Sequence, residues 1–226
     1  MEKKLEVSII SPVFNERENL KTFVDSVTKV MHSTGMSWEL IVVDDGSDDG
    51  STTVIKELTN QDNIKCLLLA KNYGQTTAIQ AGFDNAIGKY LVTLDSDLQN
   101  DPKDIPALLH KLIEEELDLV VGWRKNRKDN YFLRNLPSSI ANKLIGNITG
   151  VKLHDYGCSL KAYRADVLKE VRLYGEMHRF IPAWMATKIP ASKISELVVT
   201  HHPRIAGKSK YGISRTFRVF VDLISV

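Results

Sequence analysis

Cysteine is scarce in this chain of 226 residues: Cys66 lies in an apolar run and Cys158 in a distant polar segment. Two such thiols support neither a disulfide framework nor a cysteine metal site, and they fit a reducing compartment. Long apolar runs are missing too. No stretch approaches the roughly 18 residues of a membrane span, and MEKKLEVSII passes straight into a strand-like run without the apolar core of a signal peptide. The chain as it stands is therefore expected to be soluble and intracellular. An excess of one charge sign is also absent. The net charge of +2 carries no nucleic-acid signature, but Arg124, Lys125, Arg127, Lys128 and Arg134 form one basic cluster. Arg204, Lys208, Lys210, Arg215 and Arg218 form another. Local anions are the expected partners, and nucleic acid is not.

Several chemistry-bearing motifs are missing as well. No G-x-G-x-x-G follows a strand pattern, and the GKS at 207–209 has His202 where a phosphate-binding loop needs its first glycine. Dinucleotide oxidoreductases and P-loop NTPases are thereby excluded. The six histidines are scattered. His201 and His202 lie side by side at an expected strand or strand end, where alternate side chains point apart, which disfavours a shared zinc site. No Ser-His-Asp or Cys-His arrangement can be read from the spacing.

What is present is a chain 43% hydrophobic, enough for one large domain with a sizeable core. Runs at Val7–Val13, 40–43, 64–69, 90–94 and 117–121 are near-continuously apolar, as parallel strands covered on both faces are. Between them, 19–31, 76–86 and 103–116 carry apolar residues at helical spacing, punctuated by Gly35, Gly74 and Gly88. This alternation predicts an α/β fold with an open, doubly wound, mostly parallel sheet and helices on both faces.

Ligands of such sheets sit beyond the carboxyl ends of the strands. There the chain places PVFNE (12–16), DDGSDDGS (44–51) and DSDLQ (95–99), so three polar loops are expected to meet at one crevice. For DDGSDDGS a turn followed by a capped helix explains the residues as well as ligand binding does. Asp95 and Asp97 ask for more. Two carboxylates at i and i+2 beside an apolar sheet repel each other and need a cation or hydrogen-bond donors. Mg²⁺ or Mn²⁺, completed by substrate phosphates and water, meets that need.

Seven segments carry a resemblance: SIISPVFNE (8–16), LIVVDDGSDDGS (40–51), LAKNYGQTTAIQAGFDNAIGKYLVTLDSDLQNDP (69–102), VVGWRKNRKDN (120–130), LHDYGCSLKAYR (153–164), HRFIP (178–182) and HHPRIAGKSKYG (201–212). Together they resemble the polyprenyl-phosphate glycosyltransferases. These inverting family 2 enzymes of GT-A fold include dolichyl-phosphate mannose synthase and the bacterial undecaprenyl-phosphate sugar transferases. The Q-x-x-R-W motif of the processive polysaccharide synthases is missing, which argues for transfer of a single sugar.

The resemblance implies a UDP- or GDP-sugar donor, a polyprenyl phosphate acceptor and a Mg²⁺ or Mn²⁺ ion. It assigns Pro12, Phe14, Glu16, Val43, Asp45, Asp95, Ser96 and Gln99 to the nucleotide-sugar, with Asp97 and Asp95 at the metal. Arg124, Arg127, Arg134, Arg204, Ser209 and Lys210 would meet the acceptor phosphate. The catalytic set is Asp95, Asp97, Asp155, Arg124, Arg204 and Lys210. Asp155 either contacts the sugar or orients the acceptor, although a turn-forming Asp before Gly157 explains it equally well.

The expected organisation is a GT-A catalytic domain over 1–200 and an acceptor-side extension over 201–226. In that extension Ile213, Phe217, Phe220 and Ile224 share one helical face, compatible with a juxtamembrane helix, and 131–148 is a second amphipathic candidate. Core packing accounts for both segments as readily. Work at the cytoplasmic face of a membrane is implied, with the chain a soluble fragment of a membrane-anchored protein. Homo-oligomerisation stays open. The alternatives are a same-fold glycosyltransferase with a soluble sugar or protein acceptor, a nucleotidylyltransferase and a non-catalytic nucleotide-sugar-binding scaffold. The second lacks its glycine-rich N-terminal loop here.

Overall fold

A computed structural model describes residues 5–125, 146, 150–168, 171–175 and 177–204. Among these residues seven strands form one sheet in the order β3-β2-β1-β4-β6-β5-β7. They are β1 Val7–Val13, β2 Trp38–Asp44, β3 Ile64–Leu68, β4 Tyr90–Thr93, β5 Leu119–Trp123, β6 Lys161–Arg164 and β7 Ile194–Val198. Of these seven, β6 alone runs against its neighbours, β4 and β5. All of β2, and β1 from Val7 to Ser11, are buried, so both faces of the sheet centre are covered. That dryness is why these strands read as continuous apolar runs.

Helix α1 (Arg17–Thr34) buries Leu20, Phe23, Val24, Val27 and Met31 at the predicted spacing. It packs on α2 (Ser51–Leu58) and α4 (Ile105–Glu114), whereas α3 (Gln75–Asn85) covers β1 and β2. At Gly82 of α3 a Cβ would stand 2.2 Å from Ile10 Cγ2, so the helix can lie this close only with a bare backbone there.

The expected strand at 117–121 starts two residues later. Leu117 is buried but belongs to the end of α4: Glu116 takes a left-handed φ of 48°, and the Leu117 N–H donates to Leu112 O at 2.9 Å. Its apolar side chain closes a helix terminus, as the residue after a left-handed cap commonly does. The strands β6 and β7 are additions to the sequence reading.

The crossovers proceed from β1 outward through β2 to β3, then return to place β4 on the other side of β1. The reversal puts a topological switch point between β1 and β4, where an open sheet leaves a crevice beyond its strand ends. Residues 199–204 come back to the same edge, through an antiparallel bridge between Asn100 and His201.

Candidate active site

The loops after β1 and β2 are laced together. Asn15 Nδ2 donates to Asp48 Oδ1 at 2.7 Å and Asn15 Oδ1 accepts from the Asp48 N–H at 2.9 Å, the Asn15 backbone N–H donates to Ser47 Oγ at 2.9 Å, and the Glu16 N–H donates to Ser51 Oγ at 3.0 Å. The acids of DDGSDDGS divide the two expected tasks. Asp44 accepts from Ser47 N and Thr52 Oγ1, and Asp49 from Ser51, which is turn and helix-start work. Asp45 instead reaches the start of α3, accepting from the Tyr73 and Gly74 N–H groups at 2.7 and 2.9 Å. Burial pushes the Asp45 carboxyl above its ordinary value, against those hydrogen bonds.

Beyond β4, Gln99 N donates to Asp97 Oδ1 at 3.1 Å, and the Leu98 between them is held at φ 61°. A leucine in the left-handed region costs on the order of 1–3 kcal/mol, a strain typical of functional turns. Gln75, at the first turn of α3, donates to Asp95 Oδ1 at 2.8 Å. Burial pushes the Asp95 carboxyl up to about 6, and the neighbouring Asp97 adds to the rise. Lys161, a hydrogen bond from Ser159, and Arg124 oppose it. Asp97 is raised in the same sense, again by burial first.

Among the described residues, three cationic side chains stand near this pair. Arg204 forks across the crevice: Nη1 donates to Glu16 Oε1 at 3.1 Å and Nη2 to Asp97 Oδ2 at 2.6 Å, tying the loops after β1 and β4 together. Arg124, just past β5, donates through Nε and Nη2 to the two oxygens of Asp155 at 2.7 and 2.9 Å. Lys161 is buried in β6 and donates to the Cys158 carbonyl. Burial lowers its amine to about 8, although Cys158, Asp155 and Asp95 work the other way.

Two carboxylates, a forked arginine bridge and a second arginine pair thus share one sheet edge at the switch point. A model of the family described as "Glycosyl transferase family 2" matches residues 8–172. The chain belongs to glycosyl transferase family 2. Within that family it is 55% identical, over 99% of its length and 67% of the relative's, to a dodecaprenyl-phosphate galacturonate synthase of Rhizobium johnstonii. It is 40% identical to an undecaprenyl-phosphate 4-deoxy-4-formamido-L-arabinose transferase of Yersinia pestis, over 97% of its length and 66% of the relative's. The expected kinship with polyprenyl-phosphate sugar transferases is therefore established, and the chain spans about two thirds of these relatives' length.

Solved structures agree on the GT-A fold. Mannosyl-3-phosphoglycerate synthase from Rubrobacter xylanophilus superimposes with a TM-score of 0.77 at 14% identity, covering 98% of this chain and 73% of that one. Glucosyl-3-phosphoglycerate synthase from Mycobacterium tuberculosis, crystallised with Mn²⁺ and UDP-glucose, gives 0.71 at 18% identity, covering 98% and 78%.

The family 2 crevice gathers most of the residues singled out by sequence. Pro12 and Phe14 are partly exposed at the end of β1, and Ser96 lies beneath, its Oγ 3.5 Å from the Pro12 carbonyl. Val43 is wholly buried in the core and presents no surface to the crevice. Arg204 meets Glu16 and Asp97, both expected at the donor, although its own expected partner is the acceptor phosphate. Arg127, Arg134, Ser209 and Lys210, with the amphipathic segments 131–148 and 213–226, lie outside the described residues apart from Gly146.

Gln75, Ser159 and Lys161 escaped the sequence reading. The first follows Gly74 at a helix start and the other two sit in the segment around Cys158. Their closeness to Asp95 comes from the hydrogen bond of Gln75 at the start of α3 and from the pairing of β6 with β4, which no local pattern discloses.

Proposed function

We propose that the chain transfers one sugar, with inversion, from a nucleotide-diphosphate donor to a polyprenyl phosphate. The observation that carries this reading is the meeting of Asp95, Asp97, Arg204 and the Arg124–Asp155 pair at one crevice, in a family whose identified relatives act on polyprenyl phosphates. In this reading Pro12, Phe14, Glu16 and Asp45, with Ser96 and Gln99, frame the nucleotide, while Val43 supports them from the core. Arg124 and Arg204 face the acceptor phosphate, with Arg127, Arg134, Ser209 and Lys210 completing the cationic side.

The donor set suits a hard divalent ion. Asp95 and Asp97 would supply oxygen ligands whose charged forms are disfavoured by burial and by a neighbouring acid, Asp97 for Asp95 and Glu16 for Asp97, and a cation relieves both. Among the described residues no three His, Cys, Asp or Glu side chains cluster, so diphosphate oxygens and water would complete the shell. Mg²⁺ or Mn²⁺ bound there would supply Lewis-acid stabilisation for the departing diphosphate.

The chain's own residues do the rest by positioning. The acceptor phosphate has a second pKa of about 6 and is largely a dianion at neutral pH, so no side chain is needed as a base. Its approach to an anionic donor requires fixed positive charge, which the arginine forks provide. Asp155 keeps the Arg124 fork oriented, and Arg204 couples the acceptor side to the loop of Asp97. The lipid tail locates the reaction at a membrane surface, the cytoplasmic face on this reading. Among the described residues no helix is long and apolar enough to cross a membrane.

The test is transfer of radiolabel from UDP-galacturonate, UDP-glucose and GDP-mannose to dodecaprenyl phosphate in detergent micelles, with Mg²⁺, Mn²⁺ or chelator. Label moving into the organic phase with one donor, and lost on chelation, is the expected result. Nucleotide binding without label transfer to any lipid phosphate would leave the scaffold reading standing instead. Cosedimentation with anionic vesicles at low and high salt checks the membrane contact. Each basic side chain near such a surface contributes about 1 kcal/mol, so binding should weaken with salt.

A further inference from the structure

Behind the Arg124–Asp155 pair lies a second layer of contacts that the proposed chemistry does not use. The rings of Trp123 and His154 stack with centroids 4.1 Å apart and planes 15° from parallel. Two consecutive residues at the end of β5 thus meet two consecutive residues of loop 150–160, ring on ring and then fork on carboxylate. Glu196 of β7 completes the set. Its Oε2 accepts from the His154 backbone N–H at 2.8 Å, and its Oε1 contacts His154 Nδ1. Register places Glu196 opposite Val121, two residues before Trp123. The Glu196 side chain is only 18% exposed, while that of His154 is 63% exposed, so a shielded carboxylate holds a more exposed partner.

A bidentate arginine pair fixes its two partners relative to each other, but not relative to the rest of the site. Asp155 sits in a loop without regular secondary structure, so the pair's position depends on where that loop is anchored. One anchor follows it, where Gly122 N donates to Leu160 O at 2.9 Å; a Cβ on Gly122 would stand 2.9 Å from the same oxygen, so the loop crosses β5 at close range. Glu196 supplies an anchor on the other side, gripping both the main chain and the ring of the residue immediately before Asp155.

We propose that Glu196 is a positioning residue for sugar transfer. Through His154 it sets the placement of Asp155, and through Asp155 the plane of the Arg124 guanidinium that meets the acceptor phosphate. This rests on the acceptor-side reading of Arg124 and Asp155. Displacement of an oriented group by about 1 Å can cost about a hundredfold in rate, so loss of an anchor one residue away has kinetic consequences while the sheet stays folded.

The experiment compares Glu196→Ala, Glu196→Gln, Asp155→Asn and the Glu196→Ala/Asp155→Asn double variant of the whole chain. Dodecaprenyl phosphate is varied with whichever panel donor is turned over. Amide hydrogen exchange of 150–160 is read alongside nucleotide affinity. Glu196→Ala should lower kcat/KM for the acceptor by about tenfold, leave nucleotide affinity within about twofold, and speed exchange in 150–160 but not in 44–58. Glu196→Gln, whose amide oxygen still accepts from His154 N–H, should recover most of the loss. Added to Asp155→Asn, Glu196→Ala should cost less than about twofold more, as residues acting through one another do.

Unchanged exchange in 150–160, or full multiplication of the two losses, would overturn the positioning role and leave the acceptor reading intact. Wild-type transfer by Asp155→Asn would remove the acceptor reading itself, and the positioning role with it. Should Glu196→Ala not fold, His154→Ala strips the ring contact from an exposed residue, and a loss of the same kind, though smaller, is expected.

Discussion

At Asp97 a single carboxylate meets a guanidinium, a backbone N–H and a second acid two residues away. Asp97→Asn keeps the shape and the hydrogen bond from Gln99 while removing the negative charge that a metal needs. Metal stabilisation of a leaving group contributes several kcal/mol, so transfer should fall by at least about a hundredfold. Metal-dependent donor binding should disappear, with the thermal midpoint little changed. Wild-type rates across a Mn²⁺ titration would refute the assignment.

The two thiols make an opposite case, of reactive side chains kept inert. Burial pushes Cys66 up to about 11 and raises Cys158, which is fully buried. Because the thiolate is the nucleophile, neither should react quickly with a disulfide reagent at pH 8 in the folded chain. Both should react once guanidinium unfolds it. A fast-reacting native thiol would show that one of these sites is open.

Among the elements, α3 depends most on what its sequence leaves out. Gly82 allows it to rest on Ile10, its first residue Gln75 reaches Asp95, and the Tyr73 and Gly74 N–H groups just before it reach Asp45. Gly82→Ala drives a methyl group into Ile10 Cγ2 and should cost about 1–3 kcal/mol as overpacking, more than offsetting the better helix propensity of Ala. Ile10→Ala alone empties a fully buried site and should cost about 2–5 kcal/mol. Combined with Gly82→Ala it removes the clashing atom, so the double variant should lose less than the sum of the two single losses in denaturant titration. Additive losses in the double variant would show that the helix shifts rather than jams.

The strand β6 teaches the complementary lesson. Four residues, Lys161–Arg164, gave no usable period, yet they pair antiparallel with both β4 and β5 and bring Lys161 beneath the acidic loop. A buried lysine inside a short strand looks like a surface residue until its neighbours are known.

For the whole molecule, ligand binding is the most direct test of the assembled crevice. A nucleotide that binds only the folded state at about 100 times its Kd stabilises it by about 2.7 kcal/mol. UDP or GDP should therefore raise the thermal midpoint, and Mg²⁺ or Mn²⁺ should enlarge the shift. Absence of any shift with either nucleotide, with or without metal, would contradict a donor site at this edge.

The sequence by itself determined the central sheet, because β1, β2 and β4 are buried on both faces and must be written in apolar residues whatever surrounds them. It also determined the acidic loops, since carboxylates at the end of such strands are costly unless a cation or donors meet them. Only the tertiary structure decided which charges do so. Arg204 reaches Glu16 and Asp97 across 188 and 107 residues of chain, and Glu196 reaches His154 across 42. Such pairings depend on strand order and on where loops return to the sheet. Local sequence periods carry the orientation of a side chain within its own element, but not the identity of the element that will face it.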